Sequence, residues 1–269
     1  MPDTPSRPRE LRRVSATRYV TPLREGGSLP GLMEADDEGI YVVKFRGAGQ
    51  GPKALVAEVI AGEIGRALGL SVPELVLIDL DAALGRSERD YEVRSLIVGS
   101  AGLNLGMDFL PGALAYEPGA SPRVDADLAS RIVWFDAFVT NVDRTARNPN
   151  LLEWHRRLWL IDHGAALYFH HGASGDYPAR AGATFPRIAD HVLLPNAARL
   201  EEADAALRPL LDRATLEAIV RLVPDEWLAQ PGAPALEDQR AAYIEYLARR
   251  LEHAEQFVEE AQRARAQHV

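Results

Sequence analysis

Three side chains carry the most chemical information in this chain. Asp143 and Asn148 stand five positions apart in Asn141-Val142-Asp143-Arg144-Thr145-Ala146-Arg147-Asn148, and Asp162 closes the apolar run Leu160-Ile161 just before His163-Gly164. Phosphoryl transfer asks little of a protein beyond a carboxylate to orient the attacking hydroxyl and oxygen ligands to hold Mg²⁺ against the phosphates. Asp143 would be that carboxylate. Asn148 and Asp162 would be the ligands, since Mg²⁺ prefers hard oxygen donors and takes few of them from protein. One Asp-x-x-x-x-Asn is common by chance, and both residue types are natural turn formers. The signal sharpens because strand-Asp-x-Gly follows 14 residues after Asn148, and because a Lys and a Glu precede both in a fitting order.

That Lys is Lys44, within Ile40-Tyr41-Val42-Val43-Lys44-Phe45. Strand alternation puts it on the face opposite Val43 and Phe45. A strand Lys of this kind touches the α/β-phosphates when a helix Glu holds it. Glu58 is the preferred partner, and Glu63, more than a turn further on, is the rival. Gly26-Gly27-Ser28 is a turn whose backbone N–H groups could form a phosphate nest, or a plain hairpin turn. Gly47-Ala48-Gly49-Gln50-Gly51-Pro52-Lys53-Ala54 superficially resembles a Walker A loop but fails as one. Pro52 stands where Gly is needed, and Ala54 where Ser or Thr must reach Mg²⁺. It reads as a flexible connection.

The elements that must position these groups follow from periodicity. Residues 1–15 are polar and proline-containing and read as a loose arm. Strands and turns are expected over 17–45, then a helix over 53–68, where Leu55, Val56, Val59, Ile60, Ile64 and Leu68 recur at helical spacing and Gly69 suits a C-cap. Extended segments are expected at 74–79, 92–98 and 103–110. Leu110-Pro111-Gly112 is the preferred junction between a strand-rich half, 16–111, and a helical half, 112–269, with Gly119–Pro122 the alternative. In the second half, Asp125 or Asp127 caps a helix, a hairpin turns at His155-Arg156, and prolines separate further helices. The final helix is expected over 238–265.

Composition narrows the classes. At 269 residues, 47% hydrophobic and 26% charged, the chain is an ordinary globular protein with ample core. No apolar run is long enough to span a bilayer, and no signal peptide is evident, so no membrane role and a default cytoplasmic location are expected. With no Cys, disulfides, thiolate metal sites and cysteine nucleophiles are excluded. The net charge of −9 argues against direct nucleic-acid binding, and Arg12, Arg13 and Arg18 read as a solvated arm. His170-His171 near Asp176 reads as a surface turn. No Gly-x-Ser-x-Gly elbow is present, and Trp134, Trp154, Trp159 and Trp227 read as core.

These segments resemble the HipA-like branch of the protein-kinase-like superfamily. The likeness runs through Tyr41–Phe45, Ala54–Glu58, Leu68–Glu74, Asp136–Asn150 and Leu160–Gly164, and extends to Ile188–Leu194 and Pro224–Leu228. The resemblance implies an α+β, bilobed kinase fold with a β-rich N-lobe and a helical C-lobe. It also implies ATP and Mg²⁺ as cofactors and Ser/Thr hydroxyls of a protein as acceptor, a small-molecule acceptor or a nucleotide-binding scaffold being the alternatives. A regulatory partner protein is a further expectation, because members of this branch often belong to toxin–antitoxin systems. This chain departs from the wider kinase pattern. Asn141-Val142 replace His-Arg before Asp143, His163 replaces the Phe of Asp-Phe-Gly, and no Ala-Pro-Glu follows.

Overall fold

A computed structural model describes residues 10–23, 29–49, 51–171 and 177–267. Strands β1 (Arg12–Pro22), β2 (Gly31–Ala35) and β3 (Ile40–Lys44) precede helix α1 (Gly51–Ala67) and strand β4 (Leu75–Leu80). Helix α2 (Tyr91–Gly99) leads into β5 (Gly102–Asp108). The five strands close into a barrel in the order β1-β2-β3-β5-β4, the β1–β4 seam being parallel. Val14, Met33, Val43, Val76 and Ile78 fill one cluster with Val93 and Ile97 of α2. Leu103, Leu105 and Met107 of β5, spaced by two, instead join the larger core built on α1.

The second half opens with the short strand β6 (Leu114–Ala115) and helix α3 (Ala126–Phe138). Asp125 caps α3, its carboxylate accepting from the Asp127 and Leu128 N–H groups. Strands β7 (Leu151–Trp154) and β8 (Arg157–Leu160) form a hairpin, and β6 pairs with β7 at the sheet edge. His155 and Arg156, both at positive φ, make its two-residue turn. Helices α4 (Leu200–Leu207), α5 (Arg213–Val220), α6 (Asp225–Leu228), α7 (Leu236–Glu252) and α8 (Ala254–Ala266) complete the described chain. Trp134 stacks on Phe138 and meets Phe257 edge-on where α3 meets α8.

Several expectations are corrected. Residues 92–98 are helical, not extended. Asp90 caps the first turn of α2, and only Val93 and Ile97, four apart, are buried, so a helical stripe overrides the β-branched composition. Pairing begins at Arg12, within the supposed arm, because Arg12–Ser15 run parallel to Val76–Asp79. The basic residues there are ion-paired: Arg12 with Asp37 and Glu74, Arg13 with Asp79, and Arg18 with Glu34. The stretch read as a flexible connection already enters α1 at Gly51. The last helix breaks at His253, which leaves helical geometry between α7 and α8. His170 is not on a surface turn. It is buried, with Nδ1 3.0 Å from the Tyr243 hydroxyl. Trp154 and Trp159 are only half-buried. Asp176 lies outside the described residues.

Arg250 of α7 ties the helical half together with no carboxylate partner among the described residues. Its buried guanidinium donates to the carbonyls of Ala137, Phe138, Ala181 and Ala183 and lies 5.0 Å over the Phe257 ring. Ala137 and Phe138 close α3, where helix carbonyls lack intrahelical donors and the macrodipole favours a cation. Burial pushes the guanidinium below its usual pKa range. Arg250→Ala is expected to lower stability by about 3–5 kcal/mol, since several buried carbonyls lose their donors together. Arg250→Lys should recover only part of the loss, because one ammonium cannot span four carbonyls. Urea unfolding of the three proteins measures this directly.

Candidate active site

Lys44 leaves the barrel on the face shared with its cross-strand partner Leu105, which is the face packed on α1. Val43 and Phe45, on the other face, are buried within the barrel. The Lys44 ammonium therefore points at α1 and meets Glu58 Oε2 at 2.6 Å. Glu63 is elsewhere, beside Arg66 at 3.5 Å. The same ammonium lies 2.6 Å from Asp162 Oδ1, contributed from 118 residues away. Glu58 has 0% exposure, so its charge stands only because Lys44 compensates it. Burial alone would raise the Glu58 carboxyl, but the Lys44 charge and hydrogen bond together with the neighbouring His163 outweigh it and hold the group well below the usual carboxylate range. Lys44 answers in kind: burial would lower it, yet Glu58 and Asp162 hold it above the ordinary lysine range.

Asp143 stands in the loop after α3. Its Oδ2 accepts from Asn148 Nδ2 at 2.8 Å and from Asn150 Nδ2 at 3.2 Å. Both amides thus spend nitrogens on Asp143. The Asn148 amide oxygen and the second oxygen of each of Asp143 and Asp162 make no hydrogen bond to a described residue. The loop's backbone is held in unusual conformations at Thr140, Asn150 and Asp162, all with φ between 50° and 56°. For a β-branched residue such as Thr140 this conformation is strained and persists only where surrounding contacts over-determine it.

Those contacts converge on Asp136, a carboxylate on the buried face of α3. It receives Arg144 Nε at 2.6 Å, His191 Nε2 at 2.9 Å and Asn141 Nδ2 at 2.9 Å. His191 Nδ1 accepts from the Leu193 N–H at 3.0 Å, which leaves Nε2 as the donor to Asp136. Asn141 passes the restraint on, since its Oδ1 accepts from the Asp143 N–H at 3.1 Å. Arg144 also donates to the carbonyls of Asn150 and Ile161, fastening the loop to the residue before Asp162. Burial would raise the Asp136 carboxyl, but the Arg144 charge and the His191 hydrogen bond hold it well below the usual range.

The structure thus brings Lys44, Glu58 and Asp162 into direct contact and gathers Asp143 with Asn148. Gly26, Gly27 and Ser28 lie outside the described residues. Asp136 and His191 escaped sequence reasoning as site residues. The available signal was a carboxylate inside the apolar run Val133-Trp134-Phe135-Asp136-Ala137-Phe138, where burial demands a partner. His163, in the usual Phe position, is fully buried against Phe135, and its Nδ1 is 3.4 Å from Glu58 Oε1.

A barrel strand whose Lys points out onto a helix Glu, followed by helices carrying an Asp–Asn loop and a strand-end Asp, is the kinase arrangement. The solved structure of the Helicobacter pylori proinflammatory kinase CtkA shares the fold, with a TM-score of 0.58 at 11% identity over 96% of this chain and 99% of that one. The Golgi casein kinase with Mn/ADP bound is more distant, with a TM-score of 0.47 at 12% identity over 91% and 72% of the two chains. No curated protein matches the sequence. The sequence model of one family, described as HipA-like kinase, matches residues 17–259. The chain belongs to that family, and its class is that of a phosphotransferase.

Two depressed carboxyls set the acid limit of this core. Glu58 and Asp136 both titrate below their unfolded values, so the unfolded chain binds more protons once the pH falls to about 4.5. Stability from these groups is complete above that pH and is lost as the pH falls towards their folded pKa values. Asp136→Asn should remove about 3–5 kcal/mol at pH 7, by leaving Arg144 buried without a counter-charge. It should also flatten the acid limb of a plot of urea midpoint against pH, compared with the parent.

Proposed function

We propose that this chain is an ATP- and Mg²⁺-dependent kinase that transfers the γ-phosphate to a Ser or Thr hydroxyl of a protein. The observation that carries the reading is the pairing of Lys44 with both Glu58 and Asp162, which brings two carboxylates and a cation to one point. Lys44 would bind the α/β-phosphates, oriented by Glu58. Asp162 and Asn148 would hold Mg²⁺, and the donor set suits it: a carboxylate oxygen and an amide oxygen, hard donors few in number and left over by the hydrogen bonding around them. When bound, the cation would neutralise charge on the phosphates.

The remaining work falls to Asp143. Asn148 and Asn150 fix one of its oxygens, which leaves the other aimed away from them to accept a hydrogen bond from the acceptor hydroxyl. The hydroxyl oxygen attacks the γ-phosphorus, the bond to the bridging oxygen of the nucleoside diphosphate breaks, and the hydroxyl proton passes to Asp143 or leaves with product. Asp136, through Asn141 and Arg144, holds Asp143 in register without touching the reactants. Nucleotide would lie between the barrel and the helical half, with the 16–111 and 112–269 segments as its two walls.

Incubation with γ-labelled ATP, Mg²⁺ and protein acceptors tests the reading. Label should appear on Ser or Thr of an acceptor or of the chain itself. Asp143→Ala should slow transfer on the order of 10²- to 10⁴-fold, the usual worth of a positioned general base. Undiminished transfer by Asp143→Ala defeats the assignment. Label appearing only on small hydroxylated metabolites defeats the protein acceptor while keeping the chemistry.

A further inference from the structure

Three arginines converge where nothing in the fold requires them. Arg123, ahead of α3, and Arg156 and Arg157, at the turn of the β7–β8 hairpin, line a groove of ≈ 760 Å³. The groove sits at the opposite end of β8 from Asp162, roughly 15 Å along the strand at about 3.3 Å per residue. Elsewhere in the chain arginines are mostly spoken for, as with Arg12, Arg13, Arg18, Arg208, Arg213 and Arg249. Arg123, Arg156 and Arg157 make no side-chain hydrogen bond or ion pair with a described residue, and all three are exposed. A basic groove on a protein of net charge −9 runs against the overall field and marks a place where anions are attracted locally.

The floor of the groove is not that of a plain anion site. Leu114 is 68% exposed there, and Leu158 and Trp154 lie beside it, the indole N–H fixed to the Pro111 carbonyl at 3.0 Å. Two carboxylates share the lining. Asp125 is committed to the N-terminus of α3. Glu153 stands opposite Leu114 across the β6–β7 ladder, and its Oε1 is buried with no hydrogen-bond partner among the described residues. A buried acceptor lacking a donor calls for an N–H group, which a peptide backbone supplies and a phosphodiester does not. Strand β6 is the edge of its sheet, so an extended chain laid beside it finds main-chain partners as well.

We propose that this groove is a docking site for an extended, acidic segment of a protein partner, anchored by an apolar side chain over Leu114 and Trp154. Aspartates or glutamates of that segment would meet Arg123, Arg156 and Arg157, and one backbone N–H would meet Glu153. The assignment concerns binding alone and stands apart from the catalytic reading.

The test uses the full chain without nucleotide and a fluorescein-labelled Asp-Glu-Leu-Asp-Leu-Glu-Asp peptide, followed by fluorescence anisotropy. Saturable binding is expected, weakening as salt is raised. Combining Arg123→Glu, Arg156→Glu and Arg157→Glu should weaken it about tenfold or more, with the urea midpoint unchanged because all three are exposed. Exchanging both peptide leucines for serine should also weaken it about tenfold, the worth of one well-buried apolar side chain. The proposal is overturned if no saturation is reached at millimolar peptide, or if the triple variant binds as the parent does. It is equally overturned if the serine peptide or a single-stranded oligonucleotide binds as tightly as the leucine peptide, since the surface would then be a simple polyanion patch.

Discussion

The buried charge of Asp136 is the constraint on which the candidate site depends. A carboxylate on the core face of a helix is tolerated only when donors surround it, and here the donors come from three places along the chain. Asn141 and Arg144 bend the loop after α3 back over the helix end, and His191 brings in a segment 55 residues beyond Asp136. The strained φ values at Thr140 and Asn150 are the local cost of that convergence. Because Arg144 also reaches the carbonyls of Asn150 and Ile161, the position of Asp162 is tied to that of Asp143 through one guanidinium. The loop is thereby held by its buried end, while its carboxylate and amide oxygens face outward.

A second buried charge works differently. Glu58 is compensated by a single ammonium, and that ammonium is shared with Asp162, which is 40% exposed at its side chain. One arm of this pairing is locked in the α1 core and the other reaches solvent. The locked arm sets where Lys44 points. The same ammonium thus stands between a fully buried carboxylate and a half-exposed one.

Much of this was legible in the sequence, and the failures have physical reasons. Asp143, Asn148, Asp162, Lys44 and Glu58 could be singled out because each stands at a fixed place relative to a strand end or a helix start. Asp125 as a cap and the His155-Arg156 turn were legible for the same reason: local chemistry decides them. Asp136, His191 and Arg250 were not, because their meaning lies in contacts across 55 to 113 residues that no local pattern records. Arg250 in particular sits in a helix rich in charge, where one more arginine reads as solvated. The segment 92–98 was misjudged because Val93, Ile97 and Val98 favour strands by composition. A capping Asp90 and a single buried stripe decided otherwise.

The arginine that closes α3 has a consequence for the order in which the protein is made. Lys44, Glu58, Asp143, Asn148 and Asp162 all precede α7 in the chain, yet the Ala137 and Phe138 carbonyls at the end of the helix beneath them gain their guanidinium donor only when residue 250 arrives. A nascent chain paused before α7 would hold those five side chains over a helix end that still lacks its cation. The end of α3 therefore receives this cation only after α7 has emerged, which places the contact late in the folding of the helical half.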